Sequence, residues 1–407
     1  MKILFITDNF PPEVNAPASR TFEHISSWSN DASVEIIVIT CFPNFPKGKV
    51  FDGYKNKFYE SSYINNIRVI RVWSYISKNQ GTFRRILDYL SFAFSSAIVG
   101  VFVKCDIVVA TSPQFFTTWS AWFLSKLKRV PWIFELRDLW PDTISAVSNI
   151  KNSFIIRLLH KIEINLYRSA DSIVALTHSF KENLISRGID RKKISVITNG
   201  VDLKFFKEEN SPEVIDKLGI KNKFIIGYIG THGLCQGLQF IIELIPSIKR
   251  DDIHFLFVGE GATKKDLINK AKDLQIKNIT FLDMIKKKNV PKYLSSCHIT
   301  IVPLINDPLF KTVIPSKIFE SAAIKRPVLL GVKGEAKAII KKYNAGLCYE
   351  PENRESFIAS LNSLLNYSNY NNYKQGCTKL ANDFNREILA KKMLTIIKET
   401  YKQRQNL

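Results

Sequence analysis

The chain has 407 residues, a formal net charge of +21, 45% hydrophobic residues and 23% charged residues. This length predicts two domains, and this apolar content excludes a largely disordered chain. The positive charge suits anionic lipid headgroups, nucleic acid or a pyrophosphate group. Because the sequence has no zinc-finger spacing, basic heptad segment or RNA-binding aromatic motif, we expect no nucleic-acid partner.

The N-terminal stretch MKILFITDNFPP predicts a first β-strand over 2–7 rather than a signal peptide, since its apolar run is short and ends at Asp8. The six cysteines are scattered and form no Cys-x-x-Cys pair. Scattered cysteines of this kind are typical of thiols in a reducing compartment. We therefore expect a cytoplasmic protein.

The loop TDNFPPEVNAPASR (7–20) follows this strand and precedes a helix that we expect to begin near Thr21. In an open α/β sheet, ligands bind outside the carboxyl ends of the strands, where helix N-terminal amides face them. The loop is therefore placed to contact a substrate. The alternative is a proline-stiffened turn that binds nothing.

Short apolar runs rich in Val, Ile and Phe alternate with longer amphipathic stretches along the whole chain, a pattern typical of parallel βαβ units. The strands predicted after the first are 34–40, 67–73, 106–111, 131–136, 172–177, 194–198, 223–229, 253–258, 279–282, 298–303, 327–332 and 346–349. We predict two doubly wound, parallel-sheet domains at 1–202 and 223–383, with a linker at 203–222. A C-terminal helix within 384–407 is expected to pack on the domain pair.

The segment from Ile86 to Val103 contains only one charged residue, Asp88. Eighteen residues is near the lower limit for a membrane-spanning helix. A strand of the same domain follows at once, which favours a buried helix, with an interfacial or a spanning helix as alternatives.

Two stretches of the second half carry residues suited to binding a phosphate. One follows a predicted strand, and the other precedes a predicted helix. Gly230 and Gly233 follow a strand in GTHGLCQGL, and glycine lets backbone amides approach a phosphate closely. PSKIFES (315–321) precedes a predicted helix, with Lys317 as a possible phosphate cation and Glu320 as a possible acceptor for a ribose diol. The alternatives are tight strand-to-helix packing for the glycines and a favourable helix-dipole interaction for the glutamate.

Six stretches together resemble one known group of enzymes. They are DNFPPEVNAPASR (8–20), CFPNFPKGKVFDGY (41–54), ELRDLWPD (135–142), ITNGVD (197–202), GTHGLCQGL (230–238) and PSKIFE (315–320). The chain resembles the retaining glycosyltransferases of family 4, and within them the O-antigen and capsule enzymes that transfer L-fucosamine or D-quinovosamine. The resemblance implies the GT-B fold, in which two Rossmann-like domains face an interdomain cleft.

The resemblance also implies roles for particular residues. Arg137 and Asp138 would be catalytic, and a loop with Asn15, Ala16 and Arg20 would contact the sugar or the acceptor. The residues implied in binding the donor are Gly230, Thr231, His232, Gly233, Gln236, Met284, Lys311, Ser316, Lys317 and Glu320. The donor implied is a UDP-sugar carrying an N-acetylated deoxyhexosamine. The acceptor implied is a polyprenyl-diphosphate-linked sugar of lipopolysaccharide or capsule biosynthesis, reached at the inner membrane surface.

The sequence departs from the family pattern at three places. Thr231 and Gln236 stand where the family carries Arg and Lys, Thr312 stands where it carries the first glutamate of a pair with Glu320, and Arg137 replaces its usual histidine. Asp-x-Asp is absent, as is any clustered His and Cys set, so we expect no metal and no cofactor.

Two other functions remain open from the sequence. A UDP-sugar 2-epimerase would use the same fold and nucleotide without an acceptor. A non-enzymatic membrane scaffold would use the apolar segment 86–103 and the basic charge.

Overall fold

A computed structural model describes residues 1–77, 82–112, 115–140 and 154–406. The chain divides into two compact α/β units. The first comprises Met1–Thr198 and Arg386–Leu407, and the second comprises Asn199–Asn385.

The first unit is built on one eight-stranded sheet. Its strands are β1 Lys2–Ile6, β2 Glu35–Cys41, β3 Tyr59–Ile64, β4 Ile67–Val72, β5 Ile107–Thr111, β6 Trp132–Leu136, β7 Ser172–Ala175 and β8 Ile194–Val196. The strand order is β3-β4-β2-β1-β5-β6-β7-β8, and every pair is parallel except β3 with β4. Because successive side chains of a strand point to opposite faces, Leu4 and Ile6 enter one apolar core while Ile3 and Phe5 enter another. The sheet is therefore buried on both faces.

Helices of the first unit cover these faces. They are α1 Ala16–Trp28, α2 Thr82–Val101, α3 Thr117–Lys128, α4 Phe154–Ser169, α5 His178–Ser186 and the C-terminal helix Arg386–Gln405. No helix among the described residues is long and apolar enough to cross a membrane.

The second unit is built on a six-stranded parallel sheet. Its strands are β9 Phe224–Ile229, β10 Ile253–Val258, β11 Ile279–Leu282, β12 Ile299–Pro303, β13 Val328–Gly331 and β14 Gly346–Cys348. The order β11-β10-β9-β12-β13-β14 reverses between β9 and β12, as it reverses between β1 and β5 in the first unit. Such a reversal is the topological switch point at which open α/β sheets bind ligands.

The helices of the second unit are α6 Pro212–Leu218, α7 Leu238–Leu244, α8 Lys264–Asp273, α9 Val290–Ser295, α10 Lys317–Ala323, α11 Glu335–Tyr343, α12 Arg354–Leu364 and α13 Tyr367–Asp383. The C-terminal helix of the first unit, Arg386–Gln405, is called α14.

The domain limits differ from the predicted ones. The segment predicted as a linker, 203–222, belongs to the second unit, because Phe206 and Ile220 of this segment are buried in apolar cores of that unit. Helix α14 belongs to the first unit rather than to both. Its Met393 is buried in the core against β1, and the Trp28 indole donates to the Ala390 carbonyl at 2.7 Å.

Two further elements differ from the sequence predictions. Helix α1 begins at Ala16 rather than near Thr21, because the Asn15 side chain caps it by accepting from the Ala18 amide and Pro17 is tolerated in a first turn. The edge strand β3 was not predicted, since its side chains alternate between exposed and half-buried and form no apolar run.

Candidate active site

The glycine loop follows β9 at the switch point of the second unit. Its amides are largely committed to the unit itself: Gly230 donates to the Val258 carbonyl at 2.8 Å, His232 donates to the Glu260 carbonyl at 2.9 Å, and Gly233 donates to Gln236 Oε1 at 3.0 Å. Gly230, Thr231, His232 and Gly233 remain residues predicted to bind the donor, but three of their four amides donate hydrogen bonds within the second unit. Among the four residues Gly230–Gly233, only the amide of the exposed Thr231 makes no hydrogen bond with the described residues.

A second glycine turn, which the sequence reasoning missed, holds this loop in place. A Cβ on Gly259 would lie 1.9 Å from the Gly230 oxygen, and a Cβ on Gly261 would lie 2.2 Å from the His232 oxygen. Thr263 donates to that His232 oxygen through its amide and its hydroxyl, at 3.0 and 2.9 Å. The sequence signal for this second turn was the run Gly-Glu-Gly, which directly follows the predicted strand 253–258.

Lys317 brings a cation to the glycine loop. A Cβ on Gly230 would lie 2.3 Å from Lys317 Cε and 2.5 Å from its Nζ, so only glycine admits the lysine here. The Nζ lies 5.6 Å from the Tyr228 ring centroid and makes no hydrogen bond or ion pair with the described residues. Burial lowers the pKa of Lys317, and the nearby Glu320 carboxylate partly raises it. The structure thus holds a half-buried ammonium without an anionic partner at hydrogen-bonding distance.

Two other residues predicted to bind the sugar-nucleotide donor lie close to Lys317 in sequence, at the start of helix α10. Ser316 is the N-cap residue of α10, and its hydroxyl makes no capping hydrogen bond. Glu320 lies one turn after Lys317, is half-buried, and forms no ion pair with the described residues. Both side chains therefore remain available to a ligand.

The remaining residues predicted to bind the sugar-nucleotide donor are either exposed to solvent or hydrogen-bonded within the loop. Met284 follows β11 and is 75% exposed. Lys311 is exposed in the 3-10 turn Pro308–Thr312. Gln236 uses its side-chain oxygen to accept from Gly233, so it shapes the loop from within.

The His232 side chain does not lie at the surface of the loop. Its ring is fully buried against Tyr228, Phe257 and Phe281, and neither ring nitrogen has a partner among the described residues. Burial lowers the pKa of His232 to about 4, and the positive charges of Lys264 and Lys317 contribute. The imidazole is therefore neutral near pH 7, and only the backbone of His232 lies in the glycine loop.

The corresponding edge of the first unit is lined by carboxylates. Asp8 follows β1 at the switch point, and its burial, together with the neighbouring Glu13 charge, raises the pKa of Asp8 to about 8. Glu13 accepts from the amides of Asn44 and Phe45, both at 2.8 Å. The sequence reasoning missed Asp8 as a site residue, although a carboxylate placed directly after the first strand was a usable signal.

Asn15 and Ala16 lie beside this carboxylate. The Asn15 amide donates to Asn9 Oδ1 at 2.5 Å, and the Asn9 amide in turn donates to the Asp8 carboxylate. Ala16 is the first residue of α1. The predicted loop is therefore tied to the end of β1 by side-chain amides.

Arg20 is buried inside the first unit, with 2% of its surface exposed. Its Nε pairs with Glu135 Oε1 at 3.2 Å, and its two terminal nitrogens donate to the carbonyls of Thr198 and Ile197 at 2.7 and 3.0 Å. Arg20 thus ties α1 to β6 and to the segment after β8, which places it behind the ligand-facing edge.

Arg137 and Asp138 follow β6 at the same edge. The Arg137 amide donates to Ser112 Oγ at 2.9 Å, and its Nη1 lies 3.4 Å from the Pro17 carbonyl. Burial lowers the pKa of Arg137, whereas the charges of Glu135 and Asp8 raise it. Burial raises the pKa of Asp138, and its hydrogen bond from Leu139 lowers it. The last two residues of ELRDLWPD, Pro141 and Asp142, lie outside the described residues.

Within the described ranges, no group of three or more His, Cys, Asp and Glu side chains could hold a metal ion.

Comparison with known families identifies the chain. The family model Glycosyltransferase Family 4 matches residues 21–205, and the model Glycosyl transferases group 1 matches residues 210–379. The chain belongs to glycosyltransferase family 4. Its two units correspond to the two matched models.

Relatives of this family-4 glycosyltransferase share modest identity. WcaI of Escherichia coli, named as a colanic acid biosynthesis glycosyl transferase, is 23% identical over 90% of this chain and 92% of its own length. The Escherichia coli UDP-Gal:alpha-D-GlcNAc-diphosphoundecaprenol alpha-1,3-galactosyltransferase is 27% identical over 56% of this chain and 61% of its own.

Solved structures show that the glycosyltransferase has the GT-B fold. Sucrose-phosphate synthase from Thermosynechococcus elongatus matches with a TM-score of 0.77 and 14% identity, over 99% of both chains. HepE of Anabaena, solved in complex with UDP, matches with a TM-score of 0.71 and 15% identity, over 98% of this chain and all of that one.

Proposed function

We propose that the enzyme is a retaining glycosyltransferase that moves an N-acetylated deoxyhexosamine from a UDP-sugar to a polyprenyl-diphosphate-linked sugar. We also propose that it acts in O-antigen or capsule biosynthesis, as a cytoplasmic protein held peripherally at the inner membrane. The observation that carries the proposal is the ammonium of Lys317, which lies against Gly230 without an anionic partner.

The donor site is proposed in the second unit. A diphosphate beside Gly230 would accept from Lys317 Nζ, Ser316 Oγ and the Thr231 amide, and Glu320 would accept from the ribose hydroxyls. The solved complex of HepE with UDP supports a uridine nucleotide. Met284 and Lys311 would complete the site near the base and the phosphates.

The acceptor site is proposed in the first unit, at the end of β1 and β6. Asp138 would orient the acceptor hydroxyl or the transferred sugar, and Arg137 would contact phosphate. The Escherichia coli galactosyltransferase acts on a diphosphoundecaprenol-linked sugar, which supports an acceptor of that class. The name of WcaI, a colanic acid biosynthesis glycosyl transferase, supports a role in polysaccharide biosynthesis.

The reaction places negative charge on the departing diphosphate. The acceptor oxygen bonds to the anomeric carbon on the face that the diphosphate leaves, the carbon–diphosphate bond breaks, and the hydroxyl proton passes to a diphosphate oxygen. Loss of one preorganised donor to such a charge costs about 2.7–4 kcal/mol in other enzymes. Lys317 supplies this stabilisation, so we propose that transfer needs no metal.

The proposal is tested by incubating the enzyme with UDP-N-acetyl-L-fucosamine or UDP-N-acetyl-D-quinovosamine and an undecaprenyl-diphosphate-linked N-acetylhexosamine, in the presence of EDTA. We expect UDP release and an α- or β-linkage that matches the anomeric configuration of the donor. Inverted product would overturn the retaining mechanism. Formation of an epimer without acceptor would favour the 2-epimerase, and failure to bind any uridine nucleotide would favour a scaffold.

A further inference from the structure

An apolar groove of about 640 Å³ lies on the first unit between helices α2, α3 and α4. Leu90 and Phe94 of α2, Trp122 and Phe123 of α3, and Ile162 of α4 contribute to its walls. Phe94 is 69% exposed and Phe123 is 44% exposed. Large apolar side chains in such a concave cluster indicate a binding surface rather than scattered exposure.

The floor of the groove offers almost no polar group to a ligand. The hydroxyl of Ser120 donates to the Ala93 carbonyl at 2.7 Å and accepts from Ser96, so it is satisfied between α2 and α3. These helices approach closely, since a Cβ on Gly100 would lie 2.4 Å from Leu124 Cδ1. The groove is therefore suited to hydrocarbon.

The exposed charges described on the three helices that form the groove have one sign. The exposed charged residues described on α2, α3 and α4 are Arg84, Lys126, Arg157, Lys161 and Arg168. The carboxylates described on these helices are withdrawn from the surface: Asp88 is half-buried, and Glu163 is fully buried beside Arg187. The surface thus complements a hydrocarbon ligand that carries an anionic group.

Aromatic contacts connect the groove to the edge that holds Asp138. Trp119 lines the groove and packs on Phe116, with ring centroids 4.8 Å apart. Phe116 in turn packs on Trp140, two residues after Asp138, at 5.5 Å. Arg84 and Arg157 lie in the first turns of α2 and α4, the ends of crossover helices nearest the carboxyl edge of a parallel sheet.

We propose that this groove holds the polyprenyl chain of the lipid-linked acceptor, with Arg84 and Arg157 toward its diphosphate. This inference rests on the proposed function, because it takes the acceptor to be a polyprenyl diphosphate. It adds the surface that recognises the chain, and it predicts that the enzyme distinguishes acceptors by their lipid as well as by their sugar.

Retention of radiolabelled undecaprenyl phosphate, delivered in uncharged detergent micelles, tests the groove without any transfer reaction. Ala97→Trp fills the groove, and Phe94→Ser removes one exposed wall. We expect each variant to weaken binding by about tenfold or more, because each methylene excluded from the groove loses hydrophobic stabilisation. Phe102→Ser is the matched control, since Phe102 is 83% exposed but does not line the groove, and it should bind like the wild type.

Equal binding by wild type, Phe94→Ser and Ala97→Trp would overturn the proposal. Equal displacement of the label by the same amount of phosphatidylglycerol would also overturn it, in favour of a general bilayer contact. Far-UV circular dichroism and an unchanged thermal unfolding midpoint show that the variants are folded, independently of nucleotide binding. If undecaprenyl phosphate binds in the groove but no sugar is transferred, the proposed function fails and the groove assignment stands.

The groove also predicts that a substitution in it raises the KM for long-chain acceptors but not for short-chain acceptors. With an acceptor that carries a long polyprenyl chain, Ala97→Trp should raise the KM for acceptor by about tenfold, whereas a single-isoprene acceptor should be transferred equally by variant and wild type. An equal rise in KM for both acceptors would indicate a general structural effect and would contradict the assignment.

Discussion

The two sheets of the enzyme share a reversal of strand order, yet their carboxyl edges carry different sets of charged groups. In the second unit, the edge presents a glycine loop and the isolated ammonium of Lys317. In the first unit, the edge presents Asp8 and Asp138, whose pKa values are raised by burial. A basic edge suits the diphosphate of a donor, and a carboxylate-lined edge suits hydroxyl groups. One architecture can therefore carry two different sets of binding groups, because the strand ends fix positions and the residues placed there fix the chemistry.

The largest expected effect is on stability, and it tests whether Arg20 of the first unit stabilises the fold or binds the acceptor. Arg20→Met should lower the free energy of unfolding by about 3–5 kcal/mol, because it leaves the buried Glu135 carboxylate without its partner. Arg20→Met combined with Glu135→Leu should recover part of that stability and retain acceptor KM, since the double variant removes the unpaired carboxylate but still leaves the Thr198 and Ile197 carbonyls without the arginine. Urea unfolding measures the first effect. Lys391→Ala, which breaks only an exposed pair with Glu387, should change little. Recovered stability with lost acceptor binding would instead place Arg20 in the acceptor site.

The second expected effect concerns the basic edge. Lys317→Ala should lower kcat/KM by about 10²–10³, the loss typical of one preorganised donor to a developing anion. Lys277→Ala is the matched control, since Lys277 is exposed in the same unit and precedes β11. If both variants lose activity equally, the effect of Lys317 reflects net charge, and the comparison between the two edges fails.

A substitution at Gly230 also tests the basic edge, because the backbone conformation of this residue and its contact with Lys317 both require glycine. Its φ is +148°, and an added Cβ would collide with Lys317, so Gly230→Ala should lower the free energy of unfolding by about 1–3 kcal/mol and abolish UDP binding. Gly219→Ala provides the contrast, because Gly219 also has a positive φ, +66°, but has no atom within 4 Å of the added Cβ. Thermal shift with and without UDP should show destabilisation in both variants and lost nucleotide binding only in Gly230→Ala. Normal UDP binding by Gly230→Ala would contradict the placement of Lys317.

The last expected effect is the pH dependence of the carboxylate edge. The pKa of Asp8 is raised from its ordinary value of 3.8 to about 8, so the folded state binds the proton more tightly than the unfolded state. Stability contributed by this proton is present below about pH 4 and is lost as pH rises toward 8, with a slope on the order of 1 kcal/mol per pH unit. Asp8→Asn should flatten that slope in urea unfolding between pH 5 and 8. An identical slope in the variant would show that Asp8 is ionised in the fold.

The strands were predictable because most are apolar runs buried on both faces, and the strand that was missed, β3, is an edge strand whose polar alternation gives no such signal. The residue types of the candidate site were also predictable, through the order of the glycine loop and PSKIFE. Their contacts were not. Arg20 and Glu135 lie 115 residues apart, and no periodicity indicates that pairing. His232 looked like a ligand-facing residue, but its ring is buried against Tyr228, Phe257 and Phe281, and that packing is visible only in three dimensions.

The central claim is that the second unit binds a uridine diphosphate through Lys317 and Glu320 without a metal. The most direct test is thermal shift and ligand-detected binding with UDP in EDTA, comparing wild type with Glu320→Ala. We predict stabilisation of the wild type by UDP and loss of that stabilisation in the variant. Absence of any response to UDP in either protein, or an equal response in both, would contradict the account.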